Sequence, residues 1–177
     1  MAKPAPTFKA GAPRRAVLVL IAVLTLPAAA EAAPLRAAVF PFELDDTSLQ
    51  GAMQGAQPAE QARLARLDAQ LRVALAASGG YTLVDTAPVA AQVQSRSLQS
   101  CDTCAADLAH RLGAAVAVNG WVQKVSPLIL NINLIVRDAA TNKMLRAGSV
   151  DIRGDTDESW TRGLAWLLKR RILADQP

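Results

Sequence analysis

The stretch from Leu128 to Ala140, LILNINLIVRDAA, is the strongest constraint on the fold of this 177-residue chain. Apolar residues occupy every second position, and polar residues stand between several of them. This two-residue period predicts a β-strand with one face in the core and a wetter opposite face. The predicted core-facing residues are Leu128, Leu130, Ile132, Leu134 and Val136. The opposite face carries Asn131, Asn133 and Arg137.

Two more β patterns flank this strand. Residues 114–126, AAVAVNGWVQKVS, precede it, and MLRAGSVDIRG follows from Met144 after the turn signal DAATNK at 138–143. Strands that are consecutive in the chain and joined by short turns pair in antiparallel fashion. The sequence therefore predicts a three-stranded meander.

A strand–helix–strand unit is predicted upstream of the meander. Residues 35–42, LRAAVFPF, and 81–85, YTLVD, have the composition of buried strands, and from Pro58 leucines repeat at intervals of three and four. Two strands joined by such a helix lie parallel with a right-handed crossover. Residues 43–57, ELDDTSLQGAMQGAQ, show no period and predict a long loop. The helical stripe is Leu64, Leu67, Leu71 and Leu75.

Three further helices complete the predicted fold: a short one over 85–97, one that starts at the cysteines and ends at Gly113, and a last one from about Thr156. The result is an α/β fold of α+β-like type. It has one mixed five-stranded sheet in the order β-α-β-α-β-β-β-α, where the two helices between the second and third strands count as one α, with helices packed on the sheet. Residues 34–177 are expected to form a single domain.

The first 33 residues have the anatomy of a secretory signal peptide. A leader with Lys3, Lys9, Arg14 and Arg15 precedes an apolar run from Ala16 to Leu26 and then small residues. An apolar run of about a dozen residues is too short to span a bilayer. We therefore expect cleavage near Ala32 or Ala33, a periplasmic location, and no stable membrane span in the mature chain.

The net charge of +4 belongs mainly to this leader. It carries four of the 19 Lys and Arg residues but one of the 15 Asp and Glu residues, so the mature chain is nearly neutral. A nearly neutral chain lacks the basic surface that attracts polyanions. Nucleic acid and anionic membrane are therefore not expected as partners.

The only two cysteines are Cys101 and Cys104, in the motif CDTC. In an oxidising compartment such a pair is expected to form a disulfide, which for this short loop contributes about 2 kcal/mol. A redox-active pair is an alternative, because a helix start lowers a thiol pKa. A metal site is a second alternative, but it needs more ligands than two thiols and His110, the one histidine, which lies on another side of the helix.

Acidic residues follow the two predicted parallel strands. Glu43, Asp45 and Asp46 come after the first strand, and Asp85 ends the second. Because the carboxyl ends of adjacent parallel strands share one edge, where α/β sheets bind ligands, these residues form a candidate ligand or partner edge. They are also compatible with ordinary solvated loops, so neither a cofactor nor a resident metal is predicted.

Catalytic motifs are absent from the sequence: it contains no G-x-S-x-G, no H-E-x-x-H and no phosphate-binding glycine loop. The chain is therefore not expected to be an enzyme, with redox activity of the cysteine pair as the main exception. An exposed tryptophan would mark a partner surface, and the polar side of the meander is a second candidate. The candidate partner surface comprises Asn119, Asn131, Asn133 and Trp166.

Several of these segments resemble known domains. AAVFPFELDD, YTLVD and LGAAVAVNGWVQKVSPLILNINLIVRDAATNKML are similar to the envelope α/β domains of the TolB amino-terminal, CsgG and LpoB type. CDTC, GWVQKVSPLILNIN, VRDAATNKM and DIRGDTDESWTRG resemble an exported bacterial family known only as a domain of unknown function. In the broader group Thr-Gly usually stands where this chain has Asn142-Lys143.

The resemblance implies an envelope protein that works by contact with other proteins, with no enzyme activity to carry over. The sequence therefore predicts a non-enzymatic periplasmic accessory or assembly protein that binds another envelope or periplasmic component. A thiol-disulfide redox protein and a metal-binding carrier are the alternatives, and a homodimer is compatible with the sequence.

Overall fold

The computed structural model describes residues 1–5 and 33–174. All helices and strands described below lie in the unit that spans Ala32–Pro177. The predicted signal peptide, including a cleavage point near Ala32, lies almost entirely outside the described residues.

The strands form one mixed sheet. Its order is β3-β1-β4-β5-β6, and β2 pairs with β4 on the same side as β1. The strands are β1 (Leu35–Val39), β2 (Glu43–Asp46), β3 (Tyr81–Val84), β4 (Val116–Ser126), β5 (Ile129–Asp138) and β6 (Met144–Arg153).

Helices pack on both faces of this sheet. The helices are α1 (Leu49–Gln54), α2 (Pro58–Ala77), α3 (Ala90–Gln94), α4 (Cys104–Arg111) and α5 (Asp157–Leu167). A 3-10 turn at Ala87–Val89 leads into α3, and a π-helical turn at Leu168–Ile172 continues α5. The α/β fold class predicted from the sequence is therefore confirmed.

Both predicted connections of the sheet are confirmed. Strands β1 and β3 are parallel neighbours, with Leu35 opposite Tyr81, and α2 links them. Strands β4, β5 and β6 form the antiparallel meander. The apolar periods of these segments made both predictions possible, because each period places the apolar side chains on a covered face of the sheet.

All five predicted strands are present, but the sheet has a sixth strand, and residues 43–57 do not form one long loop. Glu43–Asp46 forms a sixth strand, parallel to β4, in line with β1 after a break at Pro41. Residues Leu49–Gln54 then form a short helix whose N-cap is Ser48, which accepts a hydrogen bond from the Gly51 amide at 3.0 Å. The partner of β2 lies about eighty residues away, so no local pattern in ELDD announces the pairing.

The larger core lies between the sheet and helices α2 and α5. The predicted leucine stripe of α2 is buried in it, together with Trp160 and Leu164 of α5. Four of the predicted core residues of the meander are also buried, but Leu128 is 71% exposed because it lies in the turn before β5. A smaller cluster on the other face packs α3 and α4 against Ala38, Phe40 and Ala117.

Candidate functional site

The second face of the sheet is only half covered by helices. Helices α3 and α4 pack over β1, β3 and the beginning of β4. Beyond them, β2, the end of β4, β5 and β6 present side chains above which none of the described helices lies. We call the eight residues of this region the open face: Glu43, Asp45, Trp121, Gln123, Asn131, Asn133, Ser149 and Asp151.

Strand register arranges the open face as two rows. One row runs across four strands as Glu43, Trp121, Asn133 and Ser149. The neighbouring row runs as Asp45, Gln123, Asn131 and Asp151. Residues that are paired across strands point to the same face of a sheet, so each row is a contiguous band of side chains.

Hydrogen bonds fix part of this surface. The Asn131 amide nitrogen donates to Asp151 Oδ1 at 2.7 Å, and the Ser149 hydroxyl donates to Asn131 Oδ1 at 2.8 Å. Both oxygen and nitrogen of the Asn131 amide are therefore used within the sheet. Trp121 is half-buried beside them and Gln123 is exposed. The open face combines one large aromatic side chain with an ordered polar ladder.

Glu43 connects the open face to the segment 95–103 between α3 and α4, which we call the cysteine loop. Its Oε2 accepts from the Ser97 hydroxyl at 2.5 Å, and its Oε1 accepts from the Leu98 amide at 2.6 Å. Leu98 is buried, so the loop is held at both its backbone and its side chain. The predicted acidic residue Glu43 therefore positions a loop instead of facing free solvent.

The cysteine loop borders a small hollow at the edge of the open face. A disulfide joins Cys101 and Cys104, whose Cα atoms are 5.5 Å apart. The hollow has a volume of about 220 Å³, and its lining includes Cys101, Asn119, Trp121 and Arg137. Asn119 is 5% exposed, and its Oδ1 has no hydrogen-bond partner within the part of the chain that the structure describes.

Two features near Cys104 favour negative charge on its sulfur. Cys104 is the first residue of α4, and the Arg96 Nη1 atom lies 3.8 Å from its sulfur. A helix start and a nearby guanidinium both favour a thiolate over a thiol if the bond is opened. His110 lies exposed on α4. Among residues 1–5 and 33–174, no group of three His, Cys, Asp or Glu side chains is placed to hold a metal ion.

The predicted acidic edge is divided between three places. Glu43 and Asp45 lie on the open face, whereas Asp46 points to the opposite face of the sheet, toward Lys124. Asp85 follows β3, and its Oδ1 accepts from the Ala87 amide at 2.9 Å. The chain continues as strand β2 after the first strand, so it carries Asp45 and Asp46 along β4 and away from Asp85.

The predicted partner surface is also divided. Asn131 and Asn133 lie on the open face, and Asn119 lies in the hollow beside it. Trp166 is on α5, at the other side of the sheet, and is 45% exposed. The structure therefore brings the asparagines and the cysteine loop together and leaves Trp166 in a separate region.

Sequence reasoning missed a buried lysine. It lies on the face of the sheet opposite the open face, at the end that carries β2. Lys124 is fully buried, and its Nζ donates to Glu60 Oε1, to Gln50 Oε1 at 2.8 Å and to Asp46 Oδ2 at 3.4 Å. Burial lowers the pKa of Lys124, but the hydrogen bond and charge of Glu60, with those of Asp46, outweigh this effect and raise it. Burial raises the pKa of Asp46, but hydrogen bonds from Ser48 and the charge of Lys124 hold it below its usual value.

The sequence of the whole described sheet matches one family model. Residues 35–172 match the model DUF3280, described as "Protein of unknown function (DUF2380)". This chain belongs to that family. The membership confirms the resemblance to a family of unknown function that the sequence predicted. No curated protein matches the chain.

Solved structures with similar folds come from several bacteria. The LpoB C-terminal domain from Salmonella enterica is 19% identical, with 68% of this chain and 84% of that chain covered and a TM-score of 0.48. Lipoprotein GNA1162 from Neisseria meningitidis is 19% identical, with 69% and 83% covered and a TM-score of 0.43. The PelC dodecamer from Paraburkholderia phytofirmans is 12% identical, with 77% and 86% covered and a TM-score of 0.43.

Within the described residues, none of the helices of this protein combines the length and the apolar character needed to cross a bilayer.

Proposed function

We propose that this chain is a non-enzymatic accessory or assembly protein of the bacterial periplasm that binds another envelope component through its open face. The observation that carries the proposal is the pair of side-chain rows across β2, β4, β5 and β6. They lie on a part of the sheet that none of the described helices covers. The leader predicted over residues 1–33 supports the periplasmic location.

The composition of the open face suits a protein partner. Interfaces that form between separately folded proteins centre on an aromatic anchor and surround it with polar groups that exchange hydrogen bonds. Trp121 supplies the anchor, and the ladder of Asn131, Ser149 and Asp151 supplies fixed donors and acceptors. Because strands and the Glu43 contact to the cysteine loop hold these groups, little side-chain freedom is lost on binding.

A photo-crosslinking experiment in the native cell tests this proposal. The exposed residue Gln123, in the middle of one row, is replaced by p-benzoylphenylalanine, and Val73, 69% exposed on α2 at the opposite face, is the matched control. We expect ultraviolet light to join the Gln123 variant to one envelope protein and to leave the Val73 variant without that adduct. Equal adducts from both positions, or none from Gln123 and from Ser149 in the neighbouring row, would contradict the proposal.

A thiol-disulfide redox protein is the second candidate function. The observation that favours it is the setting of Cys104, at the start of α4 and 3.8 Å from Arg96 Nη1. A stabilised thiolate is the better leaving group in thiol exchange, so this setting makes a disulfide easier to reduce. The reduction potential of the pair separates the two candidates.

A further inference from the structure

The last strand of the sheet has one unpaired side. Strand β6 pairs with β5, and among residues 33–174 no strand lies along its other edge. In an antiparallel sheet every second residue of an edge strand directs its N–H and C=O away from the sheet. The ten residues of β6 therefore offer about five such pairs along roughly 33 Å.

A groove runs between this edge and the outer side of α5. It has a volume of about 600 Å³, and Val150, Arg153, Arg162 and Trp166 contribute to its lining. Trp166 also lines an adjoining hollow of about 440 Å³ together with Arg170 and Arg171. The exposed indole therefore stands between two concave regions beside the open strand edge.

The groove and the adjoining hollow together carry four arginines against two carboxylates, those of Asp151 and Glu158. Arg153, Arg170 and Arg171 have no ion-pair partner within the part of the chain that the structure describes, and Arg162 pairs with Glu158 at 3.0 Å, where both side chains are exposed. The carboxylate of Asp151, which also lines the groove, accepts a hydrogen bond from Asn131 on the open face. Three guanidinium groups without an ion-pair partner among the described residues therefore line the two concave regions that Trp166 shares.

We propose that the edge of β6 binds an extended acidic segment of a partner protein as an additional strand. The backbone of the segment pairs with the free N–H and C=O groups of β6. One apolar side chain of the segment packs on Trp166, and the carboxylates of the segment face Arg153, Arg170 and Arg171. The groove shares only Asp151 with the open face, so the inference goes beyond the function proposed above.

The same charges oppose a second copy of this chain as the occupant. The stem of Arg171 packs over Gly148, near the middle of β6. A Cβ added at Gly148 would lie only 2.7 Å from Arg171 Cβ. A two-fold pairing of β6 strands would bring the unpaired arginines of both copies to one interface. Like charges in close contact disfavour that assembly.

Three synthetic peptides test the inference without changing the protein. The first has ten residues, alternating valine and glutamate with one central tyrosine; the second has lysine for every glutamate; the third is the first peptide with alternate backbone nitrogens methylated. The protein is expressed from its full-length gene and labelled with nitrogen-15. Binding of each peptide to it is followed through the amide chemical shifts of the protein. We expect the first peptide to bind with shifts concentrated on β6 and on the Trp166 indole. We expect the other two peptides to bind at least tenfold more weakly.

Protein variants locate the charge effect. Arg153→Glu combined with Arg170→Glu is expected to weaken the acidic peptide at least tenfold, whereas Arg111→Glu, an exposed cation at the end of α4, leaves binding unchanged. Equal binding of the methylated peptide, shifts located away from β6, or no binding of the acidic peptide would overturn the inference. Dimerisation of the free protein through β6, seen by sedimentation and by protection of β6 amides, would also overturn it.

Discussion

The ammonium group of Lys124 donates a hydrogen bond to the Glu60 carboxylate inside the protein, where the two side chains are 0% and 1% exposed. The same ammonium group reaches Gln50 on α1 and Asp46 on β2. One cation therefore joins two helices and two strands at the end of the sheet that sequence reasoning assigned to a loop. Glu60 Oε2 has no partner among the described residues, so the carboxylate depends on Lys124.

Lys124→Met should destabilise the protein strongly. Removal of the ammonium group leaves the Glu60 carboxylate buried without compensation, and the loss of one partner from a buried ion pair costs about 3–5 kcal/mol. Urea unfolding measures the change in the free energy of unfolding. Lys143→Met, in the exposed turn before β6, is the control and should stay within about 0.5 kcal/mol of the parent.

A double variant separates the charge effect from a simple packing loss. Lys124→Met combined with Glu60→Leu should recover much of the stability that Lys124→Met loses, because no unpaired charge remains in the core. If the effects of the two substitutions simply add, the buried pair is not the reason for the loss.

Asp68, on α2, should make the stability of the protein depend on pH. Burial raises the pKa of its carboxyl, against the Phe42 amide, which donates to Oδ1 at 2.7 Å, and against the charge of Arg72. Since the folded-state pKa exceeds the unfolded value, the contribution of this group is complete below the unfolded pKa and is lost as pH rises through the folded pKa. Asp68→Asn does not titrate and keeps an acceptor for the Phe42 amide. The free energy of unfolding of Asp68→Asn should therefore increase relative to that of the parent as pH rises from about 3 to 7.

Denaturant unfolding of both proteins across this pH range checks the sign. Because the remaining carboxyl groups are common to the two proteins, their titration cancels in the difference. A difference that is constant with pH, or that falls as pH rises, would contradict a raised pKa for Asp68.

The cysteine pair should behave as a structural clip. A disulfide that holds the loop beside Asn119 and Trp121 is expected to have a reduction potential below about −300 mV, and its removal in Cys101→Ser with Cys104→Ser should cost about 2 kcal/mol. Equilibration with a glutathione or dithiothreitol buffer measures the potential. A value of about −120 to −200 mV would favour the redox function.

Arg96→Gln tests whether the cation near Cys104 affects this potential. The substitution removes the guanidinium that lies 3.8 Å from the sulfur. The reduced form should become less favourable and the potential more negative, while unfolding of the oxidised protein should change little because Arg96 is exposed.

The sequence predicted the elements whose side chains follow one clear period. The leucines of α2 at positions 64, 67, 71 and 75 and the alternation in β5 gave the helix, the meander and the core face on which they meet. Strand β2 could not be predicted in this way. Its acidic residues are poor strand formers in isolation, and its stability comes from pairing with Trp121–Lys124, far along the chain.

The candidate site was predicted only in parts. Asn131 and Asn133 were assigned to the wetter side of a strand, and this is where they lie on the open face. Only strand register shows that Trp121 shares a row with Asn133 and Glu43.

Lys124 was missed although a signal was present. It has the same strand phase as Val116, Val118 and Val122, which are all buried. Alternation therefore placed this lysine in the core, and Glu60, on the same side of α2 as Leu64 and Leu67, was its nearest candidate partner along the leucine stripe.

Export underlies the whole account, because the disulfide and the envelope partner both require a location outside the cytoplasm. The most direct measurement is the intact mass of the protein isolated from its native cell and treated with a thiol-alkylating reagent before any reduction. We expect a chain that begins at Ala33 or Pro34, has lost the leader, and carries no alkyl group. A full-length mass with two alkyl groups would contradict export and the clip together.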